Sequence, residues 1–179
     1  MLDKLEHYSG DLHIMETEHT LMREFNPSIL LYLSHSNRLN EALSFLEFEE
    51  ERQFKHFIEK FDTYNGKNGI VSFRIWQIWA KKNGKLLGFI GFPIWHIDRK
   101  HAILEGNLPT GEAYISEVIP LMIQEGFTAM HLSTIETKLL LQSSFWRQSL
   151  ERIFSVKSPD NWQLTIEEWQ RSRGVLPCF

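Results

Sequence analysis

The sequence predicts a single α/β domain built on a mixed, mainly antiparallel central sheet flanked by helices. Three observations carry that expectation. Residues 70–80 and 86–92 are β-branched and aromatic runs joined by Lys82-Asn83-Gly84-Lys85, and Asn-Gly between two such runs is the strongest short-range hairpin signal. Both runs are apolar on both faces, so they belong at the centre of a sheet with helices on either side. Downstream, a strand-like run at 101–108, the step Gly111-Glu112-Ala113 and a helical pattern at 114–127 follow one another. A Gly-x-Ala step before a helix leaves backbone N–H groups bare and aimed at an anion, which points to a phosphate-bearing cofactor.

The remaining elements follow in order. Asp11-Leu12-His13-Ile14-Met15-Glu16 alternates with the period of a half-buried strand. Residues 21–34 carry apolar side chains at 21, 22, 25, 29, 30, 31 and 33, broken by Asn26-Pro27, and read as two short helical pieces because Pro can open a helix. From 39 to 61, apolar residues at 39, 42, 43, 46, 54, 57, 58 and 61 with Glu-rich positions between them predict a helix of about six turns. Asn65-Gly66 and Asn68-Gly69 then reverse the chain. After Pro93 and the polar turn Asp98-Arg99-Lys100 comes the strand at 101–108. The helix at 114–127 buries 115, 118, 119, 122 and 123 and reads Gly126 as its C-terminal residue. Pro120 inside it costs about 3 kcal/mol in a regular interior, so a kink or early break is expected. Residues 129–135 alternate as a strand, 138–153 are helical, and 162–169 form a last short element. No repeat, low-complexity tract or linker divides the chain.

Composition narrows the function. At 179 residues with 42% hydrophobic and 13% aromatic content, one domain can bury its own core. A net charge of −4 and the lack of a dense Lys/Arg run disfavour nucleic acid. Cys178 is the sole cysteine, which excludes an intrachain disulfide and a cysteine metal cluster and fits a reducing cytoplasm. The first residues lack an apolar signal core, and long uncharged stretches such as 86–97, like the shorter 75–80, contain Gly, Pro or Gln and fall short of a bilayer span, so a soluble protein is expected. The eight histidines (7, 13, 19, 35, 56, 96, 101, 131) show no i, i+4 pair, and no metal is assigned.

The wording of three segments resembles the ribosomal-protein acetyltransferase branch of the GNAT N-acetyltransferase superfamily. Asn83-Gly84-Lys85-Leu86-Leu87-Gly88-Phe89-Ile90-Gly91-Phe92 is similar to its G-x-L-I-G-x-I-G strand, Gly111-Glu112-Ala113-Tyr114 to the end of its pyrophosphate loop, and Phe127-Thr128-Ala129-Met130-His131-Leu132 to the entry into its next strand. The resemblance covers residues 20–155, and residues 1–179 read as one GNAT-like acyltransferase domain. It implies direct, acetyl-CoA-dependent acetyl transfer to an amine of a protein or small molecule, with acetyl-CoA as co-substrate. No covalent enzyme intermediate is expected, since no credible nucleophile is present. It further implies that pantetheine lies along residues 86–92, beside Phe89, Ile90 and Gly91, and that the amides of Gly111, Glu112 and Ala113, next to Tyr114, take the pyrophosphate. A homodimer is compatible with it.

Some residues depart from the family pattern. Leu108 stands where the family carries Gln or Arg, and Glu112 where it often carries Lys or Arg. Residues 142–154 lack the tyrosine that can protonate the leaving thiolate; Ser144, Trp146 and Ser149 stand there instead. These departures keep open a catalytically inactive GNAT-like binding module, and an unrelated α/β interaction protein is a third class.

Individual residues carry paired readings. Glu105 is the expected catalytic base, its pKa raised by flanking apolar residues, or else a solvent-facing carboxylate at a strand end. His96 and Asp98 belong to the acceptor side or to the surface. Gly88 and Gly91 permit close backbone approach to a ligand or mark a bulge. Trp76, Trp79 and Trp95, with Phe73, Phe89 and Phe92, line a cleft or fill the core. Glu47, Glu49, Glu50 and Glu51 attract a cationic acceptor or form a solvated helix face.

Overall fold

The computed structural model describes residues 14–25, 52, 71–107, 112–137, 154–158 and 161–172. Apart from Arg52, which is helical, the expected helix at 39–61 lies outside the described residues, as do the helix at 138–153, the reversal at 65–69, Leu108 and Gly111. The strands are β1 (Ile14–Glu16), β2 (Thr20–Phe25), β3 (Val71–Ala80), β4 (Leu86–His96), β5 (His101–Asn107), β6 (Thr134–Thr137), β7 (Ser155–Ser158) and β8 (Asn161–Thr165). They form one sheet in the order β1-β2-β3-β4-β5-β6-β8-β7. Every neighbouring pair is antiparallel except β5–β6. The two helices among the described residues are α1 (Glu112–Thr128) and α2 (Ile166–Ser172).

The central hairpin stands where its two-faced apolarity requires. On one face Trp76, Ile78, Ile90, Phe92, Ala102, Leu104 and Ile135 pack beneath the stripe Ile115, Val118, Ile119, Met122, Ile123 and Phe127 of α1. On the other face of β2 and β3, Phe25 and Phe73 are buried and stack with centroids 5.7 Å apart. Arg74 leans 5.1 Å over the Trp76 ring and ties three elements together. Its Nε and Nη2 donate to Glu24 on β2 at 2.9 and 2.6 Å, and its Nη1 lies 3.0 Å from Glu125 on α1. Burial opposes the guanidinium charge, but the two carboxylates outweigh it and raise the Arg74 pKa.

Several elements differ from the expectation. Residues 20–25 form strand β2 instead of the first helical piece. Six consecutive rungs, from Thr20↔Ala80 to Phe25↔Ile75, pair them with β3, and Met22 and Phe25 are buried on opposite faces. Tertiary pairing overrides the helical spacing of 21, 22 and 25. The strand expected at 129–135 begins at Thr134. Met130 and Leu132 do alternate in burial, but from an irregular exit whose amides bond back to α1: Met130 N to Glu125 O at 3.1 Å and Leu132 N to Gly126 O at 3.0 Å.

Gly126 does not end the helix, which runs two residues further. A Cβ there would lie 2.9 Å from Ile135 Cδ1 and 3.1 Å from Phe92 Cζ, so glycine admits the sheet to the helix surface. Pro120 does not end it either. Its cost of about 3 kcal/mol is smaller than the gain from the buried stripe, at about 1.5–3 kcal/mol for each large side chain. The last expected element resolves into β8 followed directly by α2. Thr165 and Glu168 form a capping box, with Thr165 N donating to Glu168 Oε2 at 2.9 Å and Glu168 N to Thr165 Oγ1 at 3.3 Å. Strand β7 had no sequence signal, because its Val156 is 61% exposed.

Strand β4 runs past Pro93 to His96 because one extra residue is inserted there. Between residues 91 and 95 its register slips against both neighbours, from Arg74↔Phe92 to Ser72↔Trp95 and from Gly91↔Glu105 to Ile94↔Ile103. A bulge tolerates a proline that cannot donate to the ladder. Beside it, Gly91 has φ +157°, and a Cβ there would lie 2.4 Å from Arg74 O and 2.6 Å from Ile75 Cα, both backbone atoms. Gly91→Ala is therefore expected to cost about 2–4 kcal/mol in urea unfolding. Gly84→Ala, at φ +62° with open space around it, should cost about 1 kcal/mol. Equal losses would show that the β3–β4 approach is not tight.

Candidate functional site

The site is built at the last described rung between the two parallel strands. Strands β5 and β6 pair over four rungs, from His101↔Thr134 to Leu104↔Thr137. The last rung is closed by the buried Thr137 Oγ1, which donates to Leu104 O at 2.9 Å. Strand β5 continues to Asn107, paired on its other side with β4 through Gly91↔Glu105 and Phe89↔Asn107. Among the described residues, Glu105–Asn107 thus has one open backbone edge. The next described element is α1, whose first turn begins with Glu112, Ala113 and Tyr114. An open strand edge and a helix N-terminus then share one end of the sheet, as ligand sites do beyond the carboxyl ends of parallel strands.

The predicted residues fall into distinct environments. Phe89, Ile90 and Gly91 lie in β4, which is paired on both sides, so their backbone groups belong to the ladder; among the described residues the edge without a paired strand is on β5. Ile90 is a core residue, whereas Phe89 is 43% exposed on the face away from α1. Glu105 is exposed on that same face, opposite Gly91, and Leu104 faces the core on the other side; the apolar enclosure expected around the carboxylate is not found. Trp76, Phe73 and Phe92 are core, and Asp98 is an exposed turn residue 4.0 Å from Arg99. Tyr114 is half-buried, with its ring edge-on to His19 at 6.4 Å.

His19 anchors the β1–β2 turn to the start of α1. Its Nδ1 makes a short contact with Glu117 Oε1, and its backbone N donates to Glu117 Oε2 at 3.2 Å. Lys81 holds the turn from the sheet side, its Nζ donating to Thr17 O at 2.6 Å and pairing with Glu16 at 2.8 Å. The hydrogen bond to Glu117 raises the His19 pKa against desolvation, with support from the charges of Glu117 and Glu18. Burial pushes the Glu117 carboxyl up, but hydrogen bonds from Thr17 and His19 and the imidazole charge together hold it below its usual range.

A second cluster was missed. His96 and His101 are cross-strand partners in β4 and β5, with stacked rings 5.7 Å apart. His101 Nε2 lies 3.6 Å from Glu136 Oε1 on β6, and Asn161 Nδ2 on β8 donates to Glu136 Oε2 at 3.1 Å. A search for helical i, i+4 spacing does not see it. The four-residue turn 97–100 between two strands is the signal that would have paired 96 with 101.

No family model matches the chain, and no curated protein sequence matches it. Solved structures do. A spermidine/spermine N-acetyltransferase from Vibrio cholerae aligns with TM-score 0.56 and 12% identity over 85% of this chain and 98% of its own. The N-terminal domain of a ribosomal-protein-alanine acetyltransferase from Clostridium acetobutylicum gives 0.52 and 9% over 88% and 99%. The RimL ribosomal L7/L12 α-N-protein acetyltransferase gives 0.53 and 12% over 88% and 96%. The chain has the GNAT fold. At these identities the likeness concerns the fold alone, and it bears out the mixed, mainly antiparallel sheet. No helix among the described residues is long and apolar enough to cross a membrane.

Within this GNAT fold the His19–Glu117 tie makes stability depend on pH. The raised His19 pKa contributes stability that is complete below its unfolded value of 6.5 and is lost as pH rises through the folded value. The lowered Glu117 pKa contributes stability that is complete above its unfolded value of 4.5 and is lost as pH falls through the folded value. Urea midpoints should therefore be highest between pH 4.5 and 6.5 for this pair, and His19→Asn should flatten the alkaline limb. An unchanged alkaline limb in that variant would assign the pH dependence elsewhere.

Proposed function

We propose that the chain is an acetyl-CoA-dependent N-acetyltransferase that moves the acetyl group directly to an amine of a protein or small molecule. The observation that supports it most is the end of β5, which among the described residues runs past its last rung with the parallel strand β6, beside the start of α1 in a GNAT fold. Backbone donors and acceptors at Glu105–Asn107 suit the amide-bearing pantetheine arm. The amides of Gly111, Glu112 and Ala113 suit the pyrophosphate, which an α-helix N-terminus favours. The bound co-substrate supplies a thioester already activated for acyl transfer. The chain's own contribution is to hold the two reactants close, orient the amine, and accept its proton.

A second reading, a binding module without turnover, is favoured by Leu108 in place of a polar residue and by the Glu112 carboxylate next to the phosphate position. Thermal unfolding separates these readings from an unrelated function. A ligand bound only by the native state adds RT ln(1 + [L]/Kd), about 2.7 kcal/mol at a hundredfold excess, which raises Tm by about 5–11 °C in a chain of this length. Acetyl-CoA is expected to give such a shift, together with thiol release on addition of an amine. A shift without thiol release across polyamines and unblocked peptides would favour the binding module. No shift at millimolar acetyl-CoA would remove both.

A further inference from the structure

We propose that Glu18, His19 and Glu117 form a binding site for a divalent first-row transition metal ion of the zinc class, which clasps the β1–β2 turn to helix α1. Glu18 and His19 lie in the turn between β1 and β2, and Glu117 stands on α1, 98 residues beyond His19 in the chain. One ligand atom from each, a ring nitrogen of His19 and a carboxylate oxygen of either glutamate, lies within 4.8 Å of the other two. Around zinc, nitrogen and oxygen ligands at about 2.0–2.2 Å stand about 3.3–3.6 Å apart in a tetrahedron, a separation that small side-chain rotations reach. The set joins a turn to a helix, so a search for helical histidine spacing does not see it.

The donor set selects the ion. Carboxylate oxygens alone suit calcium or magnesium, whereas an imidazole nitrogen among them favours zinc, nickel, cobalt or copper. His19 Nδ1 already meets Glu117 Oε1 in a hydrogen bond, so the ion takes the place of the proton between them, and that proton leaves to solvent. The two carboxylates carry two negative charges, which a divalent ion balances. Lys81, the cation on the sheet side of the turn, pairs with Glu16 at 2.8 Å. Three protein ligands leave a fourth position for water.

The frame that holds these donors is set before an ion arrives. Glu117 Oε2 accepts a hydrogen bond from His19 N at 3.2 Å, and the Thr17 hydroxyl also bonds this carboxylate. His19 O accepts from Lys81 N at 2.9 Å, so both backbone groups of His19 are fixed. Thr17 N donates to Thr20 O at 3.0 Å and closes the turn. The Tyr114 ring, one helical turn before Glu117, flanks the His19 ring edge-on at 6.4 Å. Outer contacts of this kind orient metal ligands and govern affinity. The His19 and Glu117 side chains are 49% and 20% exposed, which leaves a path for an ion from solvent. None of the three residues takes part in the acetyl transfer proposed above, so the site stands apart from that reading.

The test is calorimetric titration of the untagged full chain, freed of metal with EDTA, with zinc chloride, and separately with calcium and magnesium chloride. One saturable zinc site of submillimolar Kd is expected, one that calcium and magnesium do not fill, and zinc should raise Tm by mass action. His19→Asn keeps a donor toward Glu117 but removes the imidazole, and it should weaken zinc binding by more than about tenfold, as should Glu117→Gln. Glu18→Gln should abolish most of the zinc-induced Tm rise while leaving Tm in EDTA unchanged; because Glu18 is exposed, this variant reads the site even where the other two disturb the fold. His131→Asn, an exposed residue at the exit of α1, should leave zinc binding as it is. Failure to saturate at millimolar zinc overturns the proposal. Zinc affinity unchanged in His19→Asn and Glu18→Gln also overturns it, by placing the ion on other side chains. Calcium that competes with zinc on equal terms marks an adventitious ion on an acidic surface, and the proposal falls with that result too.

Discussion

The structure depends on one parallel pairing, β5 with β6, in a sheet whose other described pairs are antiparallel. Parallel neighbours cannot be joined by a tight turn, so the chain must cross over the sheet between them, and α1 makes that crossing. The crossing brings the apolar stripe of α1 onto the core face. It also points both strand ends and the helix start toward the same edge. The described pairing reaches Leu104↔Thr137 while β5 runs on to Asn107, so the end of β5 lies beyond its last described rung with β6. The candidate site is a consequence of how the core is closed.

Holding that arrangement requires contacts across elements distant in sequence. Arg74 joins β2, β3 and α1 through two carboxylates, an arrangement favourable only because the partners compensate one another's desolvation. Gly126 lets Ile135 and Phe92 approach the helix, and Gly91 lets β4 approach β3 where no side chain fits. The Pro93 bulge shifts β4 by one residue, which puts Trp95 on the core face and His96 beside His101. Without that inserted residue, the faces of the last part of β4 would be exchanged.

The central hairpin was legible because its signals are local: two apolar runs and Asn83-Gly84. The start of α1 was legible within two residues, since its buried positions 115, 118, 119, 122 and 123 repeat as a helix does. Strand β2 was not, because Leu21, Met22 and Phe25 have a helical spacing that six rungs of pairing with β3 override. The alternation at Met130 and Leu132 reported burial correctly, yet burial from a bonded helix exit looks the same in sequence as burial from a strand. At the site, Gly111 lies outside the described residues, and Glu105 is on the expected strand but exposed rather than among apolar groups.

The sequence alone determined the fold class, the hairpin at the centre of the sheet, the helix stripe that covers it, and the strand-then-helix order of β5 and α1. Each depends on residues within a few positions of one another, whose side-chain periodicity and turn chemistry act locally. Only the tertiary structure decided how far β5 runs beyond its described rungs with β6, which carboxylate is held by Asn161, and which histidines meet. Glu136, His101, His96 and Asn161 come from four strands, and they converge because pairing register, a one-residue bulge and a parallel crossover bring them to one face. Register is a relation between strands, set by long-range pairing and by which face each strand buries, so no single segment of the sequence encodes it.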